Sequence, residues 1–414
     1  MVFERLKSGP QGPLAGRRVL ELCTTIAGPA CARLLADYGA DVIKVEALDG
    51  DPVRQMASHE GDVSLYAASI LRNKRSIAVD LKQPEGVRIA RALSKQSDVV
   101  VENFRPGTLE KLGLGYDVLA AENPKLVLAR ISGYGQDGPN RHKPGYGVIC
   151  EAYGGLRHVT GDPDRPPPRA AVALTDYLGA LYAAYGTALA LIEADRTGLG
   201  QVVDVSLFEA AFSLLEPDVP AYDRLGIVAG RHGSRLHNLA PNNLYRAGDG
   251  TDVLIAANND VIFRRLCAVM GAPALADDPR YSTIRARGER VAQLDDIVGA
   301  WVKSRDSGSV VNELENAAVP CSKIYTMADA FVDPHYQARG AIERHSHPDL
   351  GSVAMTGLVV KLSATPGAVH SVGPDIGAQT DEILSSDLGL DAERISHLKR
   401  AGVVGAATAV EAVR

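Results

Sequence analysis

The chain of 414 residues is 46% hydrophobic and 23% charged, which is typical of a soluble globular protein large enough for two domains. Its formal net charge of -6 and pI near 6.0 argue against a nucleic acid or a membrane surface as partner. No apolar run approaches the roughly 20 residues of a membrane span, and the N-terminus lacks the apolar core of a signal peptide. We therefore expect a cytoplasmic protein that acts on a small molecule.

Cysteine and histidine usage gives no sign of a metal site. The five cysteines show neither metal-ligand spacing nor the even count of a disulfide framework, and Cys23 is best explained as a packing thiol behind a strand. None of the ten histidines stands in an H-x-x-x-H or H-E-x-x-H pair. The G-x-S-x-G elbow of the α/β-hydrolases is also missing. We expect no metal and no tightly bound cofactor.

Strand and helix patterns alternate in the first half of the chain. From Arg17, R-R-V-L-E-L is followed by a helix that begins near Pro29 and by the strand D-V-I-K-V-E. The pattern repeats between Ser76 and Asn103, and another strand is predicted near residues 126–131. This alternation predicts an α/β fold with a mostly parallel sheet.

A carboxylate stands at the start of a long apolar stretch. The sequence predicts a helix from Asp176 to about Glu193, apolar on all sides and hence buried. An Asp at its first position would accept hydrogen bonds from first-turn amides, and the helix dipole would favour its ionised form. Such a carboxylate can attack a carbonyl, although on this stretch alone a plain capping role is the commoner one.

A change in composition predicts a second domain. Residues 217–241 are rich in Gly, Arg, His and Pro, and a hairpin around Asp249-Gly250 and two amphipathic helices follow. We assign 1–216 to a large domain, 217–335 to a small α+β domain, and 336–414 to a C-terminal part that returns to the large domain.

Two stretches with cations and one turn are candidate anion sites. Arg72–Arg75 and Asn103–Lys111 are placed by the pattern at the carboxyl ends of strands, where open α/β sheets bind ligands. Cations there suit phosphates, and Phe104 can pack against a flat ring. The turn Thr24–Ala30 offers a helix N-terminus but not G-x-G-x-x-G, so a dinucleotide is not expected. Each stretch also fits an ordinary surface turn.

The order of these motifs resembles the class III coenzyme A transferases, a family that includes formyl-CoA transferase, carnitine CoA-transferase and the α-methylacyl-CoA racemases. The resemblance covers nearly the whole chain. Its motifs are L-A-G-R-R-V-L-E-L (14–22), A-G-P-A-C-A-R-L-L-A-D-Y-G-A-D-V-I-K-V-E (27–46), R-N-K-R-S-I-A-V-D-L (72–81), V-E-N-F-R-P-G (101–107), S-G-Y-G-Q-D-G-P (132–139) and A-L-T-D-Y-L-G-A (173–180).

The resemblance implies a large Rossmann-like domain built from both chain ends, a smaller domain between them, and an interlocked homodimer. It assigns Asp176 the role of a nucleophile that forms an acyl-aspartyl anhydride and then an aspartyl-CoA thioester. Coenzyme A or its acyl thioester is then a substrate. The residues that the resemblance places against it are Ile26, Ala27, Asn73, Lys74, Arg75, Asn103, Phe104, Arg105, Lys111 and Tyr146.

Two departures from the family motifs narrow the choice of reaction and of substrate. The racemases carry a catalytic His in a G-H-D stretch, and the corresponding place here reads Gly145-Tyr146-Gly147, which favours a transferase over α-proton exchange. Formyl-CoA transferase has a Gln where this chain has Ile26, so oxalate and formate are not expected as substrates. A racemase and a non-catalytic CoA-binding protein remain the alternatives.

Cations in the segment 231–238 suggest that the acceptor acid carries a second carboxylate. Arginine suits bidentate capture of a second carboxylate, so we expect Gly233, Ser234, Arg235 and His237 to bind substrate. Succinyl-CoA as donor and a C4–C6 dicarboxylate as acceptor are consistent with related transferases. Residues 230–234 are also candidates for amide donors to an oxyanion. The alternatives are a flexible linker and a contact with the partner subunit.

Overall fold

The computed structural model describes residues 12–236 and 238–405. The strands of these residues are β1 (Arg18–Leu22), β2 (Asp41–Glu46), β3 (His59–Glu60), β4 (Val63–Ser64), β5 (Lys74–Val79), β6 (Val99–Glu102), β7 (Val127–Ser132), β8 (Val202–Ser206), β9 (Asn242–Arg246), β10 (Asp252–Ala256), β11 (Cys321–Lys323), β12 (Ile342–His347), β13 (Gly351–Thr356) and β14 (Val404–Gly405).

The α-helices are α1 (Ala27–Ala36), α2 (Leu65–Ile70), α3 (Pro84–Lys95), α4 (Thr108–Lys111), α5 (Tyr116–Glu122), α6 (Gly147–Tyr153), α7 (Leu156–Val159), α8 (Leu174–Thr197), α9 (Leu207–Phe212), α10 (Asp218–Leu225), α11 (Asp260–Val269), α12 (Ile284–Gly288), α13 (Val291–Lys303), α14 (Ser307–Asn316), α15 (Met327–Val332), α16 (Pro334–Ala338), α17 (Thr380–Glu382) and α18 (Ala392–Arg400). Short 3₁₀ helices cover Pro52–Gln55, Ser213–Leu215 and Pro273–Ala276, and Ile383–Asp387 forms a π-helical turn.

The described chain divides into two compact units. The first contains residues 12–156, 169–217 and 335–405, and the second contains residues 157–168 and 218–334. The break after residue 217 lies at the change in composition. Residues 157–168 belong with the second unit, whereas the sequence assignment placed them in the large domain.

A seven-stranded sheet forms the centre of the first unit, in the order β14-β5-β2-β1-β6-β7-β8. All neighbouring pairs are parallel except β14 with β5, which is antiparallel. The predicted α/β fold with a mostly parallel sheet is therefore confirmed. The inner strands are continuous apolar runs because helices cover both faces of the sheet.

Successive residues of a strand enter different cores. Val19 packs in a cluster with α1 and α8 on one face of the sheet, whereas Leu20 packs in a second cluster with α3 and α18 on the other. This alternation follows from the period of two along a strand. Because neighbouring strands run parallel, their carboxyl ends lie at the same edge of the sheet, which holds for β1, β2, β5, β6 and β7.

Helix α8 is buried on one side only. Ala180, Ala183 and Leu191 face the core, whereas Tyr185 and Ile192 are 65% and 66% exposed. The prediction that this helix is buried on all sides is therefore wrong. By length and composition alone α8 could cross a membrane, which corrects the statement that no apolar run is long enough. Within the first unit, however, it packs against α1, α9, β7 and β8.

The second unit contains the antiparallel sheet β11-β10-β9. Strands β9 and β10 form the predicted hairpin, with Gly250 at φ 82° in the turn. Helices α11, α13 and α14 cover a core that includes Phe263, Val302 and Leu314. The α+β character predicted for this part of the chain is thus observed.

Candidate active site

Asp176 is the third residue of α8, not its cap. The helix begins at Leu174, and Ala173 occupies the N-cap position without a side-chain hydrogen bond. The helix therefore starts two residues earlier than the sequence predicts, which is within the usual uncertainty of a helix boundary. The Asp176 carboxylate therefore does not occupy the N-cap position, although the backbone amide of Asp176 itself lowers its pKa.

The carboxylate of Asp176 lies against the start of α6. A Cβ added to Gly147 would overlap Oδ2 of Asp176 and would lie 2.6 Å from Oγ1 of Thr175. Glycines also allow the adjoining loops to approach each other, since a Cβ on Gly133 would lie 3.0 Å from the Cα of Gly145. Residues 132–135 and 145–147 thus form one wall beside Asp176.

Burial raises the pKa of Asp176 to about 6. This reverses the expectation that the helix dipole keeps the carboxyl strongly acidic, because removal of water outweighs the lowering by the helix backbone. Among the described residues Asp176 has no ion-pair partner. The group therefore is ionised at neutral pH but poorly solvated, which is a suitable state for a nucleophile.

Cys150 lies next to this site and is not a second nucleophile. Its Sγ donates to the carbonyl of Gly133 at 3.3 Å. Burial, with a smaller effect of the Asp176 charge, raises the pKa of the Cys150 thiol to about 12. Burial likewise raises the pKa of Cys23, which agrees with a packing role.

Two tyrosines complete the surroundings of Asp176. The hydroxyls of Tyr66 on α2 and Tyr177 on α8 are 2.9 Å apart. Burial, the hydrogen bond between Tyr66 and Tyr177 and the nearby charge of Asp176 all raise the pKa of Tyr66, which therefore stays a neutral hydroxyl. Sequence reasoning missed Tyr66, because α2 is short and carries no motif.

The turn between β1 and α1 is held by Asn103. Its amide group donates to the carbonyl of Thr24 at 2.7 Å and accepts from the Thr24 amide at 2.9 Å. The Thr25 amide, at φ 71°, donates to Asp51. Ile26 and Ala27 are buried, so this turn presents its backbone and the uncapped N-terminus of α1 rather than those two side chains.

Buried charges beneath this turn fix it in place. Lys44 donates to Glu21 at 3.0 Å and to Asp51 at 2.7 Å, and Lys74 donates to Glu21 at 2.7 Å. Burial lowers the pKa of Lys44, but the carboxylates of Glu21, Asp51 and Glu46 outweigh it and raise that pKa. In the sequence, these buried ions are visible as Glu21 and Lys44, which interrupt the apolar centres of β1 and β2.

The stretch 73–75 lies at the opposite edge of the sheet from the one predicted. Strand β5 begins at Lys74, so these residues form its amino end. Asn73 donates to Asp37, Lys74 is buried on Glu21, and Arg75 pairs with Asp41 at 2.6 Å. The prediction that they follow a strand is wrong, because charged side chains that pair with neighbouring strands conceal the strand start.

A cavity of about 540 Å³ opens at the carboxyl ends of β1, β2 and β5. Phe104 and Lys82 line it, together with the loops after the three strands. Arg105 and Lys111 follow Phe104 and are exposed, and neither has an ion-pair partner among the described residues. This edge therefore has an aromatic surface and exposed cations, together with the carboxylates of Asp49 and Asp80 in the cavity lining.

The predicted substrate residues of the second unit are engaged within that unit. Arg235 pairs with Asp295 at 2.8 Å, and the Ser234 hydroxyl donates to Asn243. The Gly233 amide donates to the carbonyl of Gly161 at 3.0 Å. His237 lies outside the described residues.

A family model described as CoA-transferase family III matches residues 14–380. The chain belongs to CoA-transferase family III. The succinyl-CoA–D-citramalate CoA-transferase of Chloroflexus aurantiacus is 44% identical over 397 residues, which cover 95% of this chain and 99% of that relative. The β subunit of the succinyl-CoA–L-malate CoA-transferase of the same organism is 40% identical, with 95% and 98% covered.

More distant relatives extend the range of named acids. The succinyl-CoA:glutarate CoA-transferase of Mus musculus is 34% identical over 395 residues, which cover 95% of this family III chain and 90% of that relative. A crystal structure of a CaiB/BaiF family protein from Brucella suis matches with a TM-score of 0.80 and 34% identity, covering 91% of this chain and 99% of that one. The family expected from the motifs is therefore confirmed. The chain is an enzyme, a class III CoA-transferase.

Proposed function

We propose that this transferase moves CoA from succinyl-CoA to a C4–C6 dicarboxylic acid, with Asp176 as covalent nucleophile. The observation that carries the proposal is the Asp176 carboxylate itself, poorly solvated and without an ion-pair partner in the described chain. The named relatives act with succinyl-CoA on citramalate, malate and glutarate, which supports this choice of donor and acceptor class.

The reaction consists of four acyl transfers. The Asp176 carboxylate attacks the thioester carbonyl of succinyl-CoA, the C–S bond breaks, and succinyl-aspartyl anhydride and CoA thiolate form. The thiolate attacks the aspartyl carbonyl and releases succinate, which leaves an aspartyl-CoA thioester. The acceptor carboxylate displaces the thiolate from that thioester, and the thiolate then attacks the acceptor's carbonyl and frees Asp176. No proton or redox change is needed overall.

The environment of Asp176 suits each step. Its pKa of about 6 leaves it ionised at neutral pH, while partial burial removes water that would otherwise solvate the charge. Exclusion of water also protects the anhydride from hydrolysis. The glycine wall at Gly133, Gly145 and Gly147 leaves room beside the carboxylate for a reacting carbonyl.

We assign the nucleotide part of CoA to the cavity at the carboxyl ends of β1, β2 and β5. In its lining, Phe104 offers a surface for the adenine ring and Lys82 a cation for the phosphates of CoA. Arg105 and Lys111, exposed on the segment after Phe104, add two further cations. The α1 N-terminus after Thr25 adds backbone donors. The internal contacts of Asn73, Lys74 and Arg75 do not support their predicted role in CoA binding, while a contact with the exposed Tyr146 stays a prediction.

A racemase is not supported by any specific observation. Proton exchange requires a base beside the substrate α-carbon, and the position of the racemase His is occupied by Tyr146. The described cysteine beside Asp176, Cys150, is held protonated. The named relatives are transferases as well.

We also propose a homodimer in the cytoplasm. The exposed apolar side of α8, with Tyr185 and Ile192, borders a groove of about 490 Å³ lined mainly by apolar side chains such as Leu34. Apolar patches of this kind are typical of protein interfaces, which supports self-association.

Mass spectrometry of acyl-CoA products tests the function. The enzyme is mixed with succinyl-CoA and separate acids, including citramalate, malate, itaconate and glutarate, with Asp176→Ala as the control. We expect a new acyl-CoA with at least one dicarboxylate only for the wild type, and inactivation by hydroxylamine during turnover. No transfer to any acid, or α-proton exchange alone, would refute the proposal.

A further inference from the structure

Arg33 of α1 is an arginine without an acceptor. Its Nε is buried and has no hydrogen-bond partner, and no hydrogen bond or ion pair of its guanidinium occurs within residues 12–236 and 238–405. The buried Nε donor therefore carries a desolvation cost that no acceptor offsets. Burial and the neighbouring Arg72 lower the pKa of Arg33, which reflects that cost.

The carboxylate of Asp37 acts on Arg33 through its charge but accepts its hydrogen bonds from other residues. Asp37, one turn along α1, accepts from Nε and Nη2 of Arg72 at 2.9 and 2.7 Å and from the amide of Asn73 at 3.0 Å. Both of its oxygens thus accept hydrogen bonds, and none of these bonds comes from Arg33. Among the described residues of the first unit, the Arg33 guanidinium therefore has no carboxylate hydrogen-bonded to it.

Two hydroxyls next to Arg33 share the same deficit of acceptors. Tyr66 and Tyr177 lie close enough to act electrostatically on the Arg33 guanidinium, and helix α1 packs against both α2 and α8, which carry them. Their hydroxyls bond to each other, which uses one of their two protons. The cluster of Arg33, Tyr66 and Tyr177 therefore offers a surplus of donors and lacks an anion.

The cluster adjoins the nucleophile. Tyr177 follows Asp176 directly on α8, and the Asp176 charge acts on Tyr66. A small dicarboxylate bound through one carboxyl group at Asp176 would present its remote carboxylate within the same part of the first unit.

We propose that Arg33, Tyr66 and Tyr177 bind the remote carboxylate of the dicarboxylic acid and of the succinyl group, and so set the preference for dicarboxylates. The guanidinium supplies a bidentate donor pair, and the free tyrosine proton supplies a third hydrogen bond. This inference rests on the proposed transferase function. It replaces Arg235, which already pairs with Asp295, as the residue that recognises the second carboxylate.

The test compares acids that differ only at the remote group. In a double-displacement reaction, kcat/KM for the acceptor reports the second half-reaction alone, so it is measured for glutarate and for its monoamide, with succinyl-CoA as donor. We expect Arg33→Gln to lower kcat/KM for glutarate by about 30-fold or more, since a charged hydrogen-bond partner is lost. The monoamide should change less than about threefold.

Three further variants make the result specific. Arg196→Gln removes an exposed arginine of α8 and should leave both acids unaffected. Arg33→Lys keeps the charge without the fork and should lose about fivefold for glutarate, and Tyr66→Phe should act in the same direction. These two variants carry the test if Arg33→Gln does not fold, as judged by circular dichroism.

The outcomes separate this inference from the function on which it rests. If the wild type transfers CoA to glutarate and Arg33→Gln lowers kcat/KM for both acids equally, or for neither, the remote-carboxylate role is overturned and the transferase stands. If the wild type transfers CoA to no acid, both proposals are overturned.

Discussion

The carboxylate of Asp176 and the Cα of Gly147 are in direct contact, so that no side chain fits between them. The contact joins the first turn of α8 to the first residue of α6. It explains why Asp176 is desolvated although it is near a helix end: the wall opposite the carboxylate is backbone rather than water. A glycine at 147 is therefore a requirement of the proposed nucleophile.

Replacement of Gly147 by alanine should abolish transfer. The new methyl group would overlap Oδ2 of Asp176 and crowd Thr175, so the carboxylate must turn away from its attack position. We expect kcat to fall by about 100-fold or more, as misplaced catalytic groups typically cause. Steady-state kinetics with succinyl-CoA measures this effect.

The matched control is Gly299→Ala in α13, where an added Cβ meets only Tyr245 at 3.7 Å. It should keep full activity and should not lower the melting temperature, because alanine is favoured over glycine inside a helix. Normal activity of Gly147→Ala would show that Asp176 does not react from this position.

Asp176→Asn should stabilise the protein at alkaline pH while it removes activity. The folded pKa of about 6 exceeds 3.8, the ordinary value for an aspartate, so ionisation of Asp176 at higher pH disfavours the folded state. At pH 8 the variant should gain about 2 to 3 kcal/mol, or about 2–4 °C in melting temperature. Below about pH 3, where the wild-type carboxyl is protonated in both the folded and the unfolded state, the gain should vanish.

Thermal melts of both proteins at about pH 3 and pH 8 measure the difference. Asp117→Asn, an exposed carboxylate in α5, is the control and should not gain stability at either pH. A gain of equal size at both pH values would mean that the charge of Asp176 is not its cause.

The pH dependence of the first half-reaction should report the same group. Attack requires the ionised carboxylate, and burial raises the pKa of Asp176 to about 6. We expect kcat/KM for succinyl-CoA to rise between pH 5 and pH 7 with a midpoint near 6 and then to level off. A midpoint near 4, the value of a solvated carboxyl, would contradict the desolvated environment.

Much of the fold was predictable from the sequence. Apolar runs such as Leu126–Ile131 alternate with helical patterns, and only strands covered on both faces have that composition. The hairpin at Asp249-Gly250 was predictable because few dipeptides favour such a turn. Strand β5 was misplaced, since Lys74 and Arg75 resemble a surface turn until their partners Glu21 and Asp41 are known.

The site could be predicted only in part. The motif around Asp176 identifies the residue, but its desolvation depends on Gly147 and the loops that pack near it, which no local pattern reveals. The surplus charge of Arg33 is equally hidden. It becomes visible only when Asp37, its neighbour on the same helix, is seen to be occupied by Arg72.

Removal of single cations near Phe104 should weaken CoA binding without affecting the chemical step. Arg105→Ala and Lys111→Ala should each raise KM for succinyl-CoA by about 5- to 10-fold with kcat nearly unchanged, because a phosphate contact of this kind is made equally in ground and transition states. Lys125→Ala, an exposed lysine before β7, is the control. Added salt should weaken the wild type more than the variants.

Thioesters that lack the 3′-phosphate of CoA make the assignment sharper. If Arg105 or Lys111 contacts that phosphate, the variant and the wild type should have the same KM for the dephospho thioester. An unchanged KM for succinyl-CoA itself in both variants would place the nucleotide elsewhere.

A charge on the exposed side of α8 should prevent self-association. Ile192 is 66% exposed and lines the apolar groove beside Tyr185. If a second copy covers this surface, Ile192→Arg would bury an unpaired charge, and we expect light scattering after size exclusion to show monomers in place of dimers. Lys95→Glu in α3, on the other face of the sheet, should remain dimeric. Dimers of Ile192→Arg as stable to dilution as those of the wild type would exclude this side of α8 from the interface.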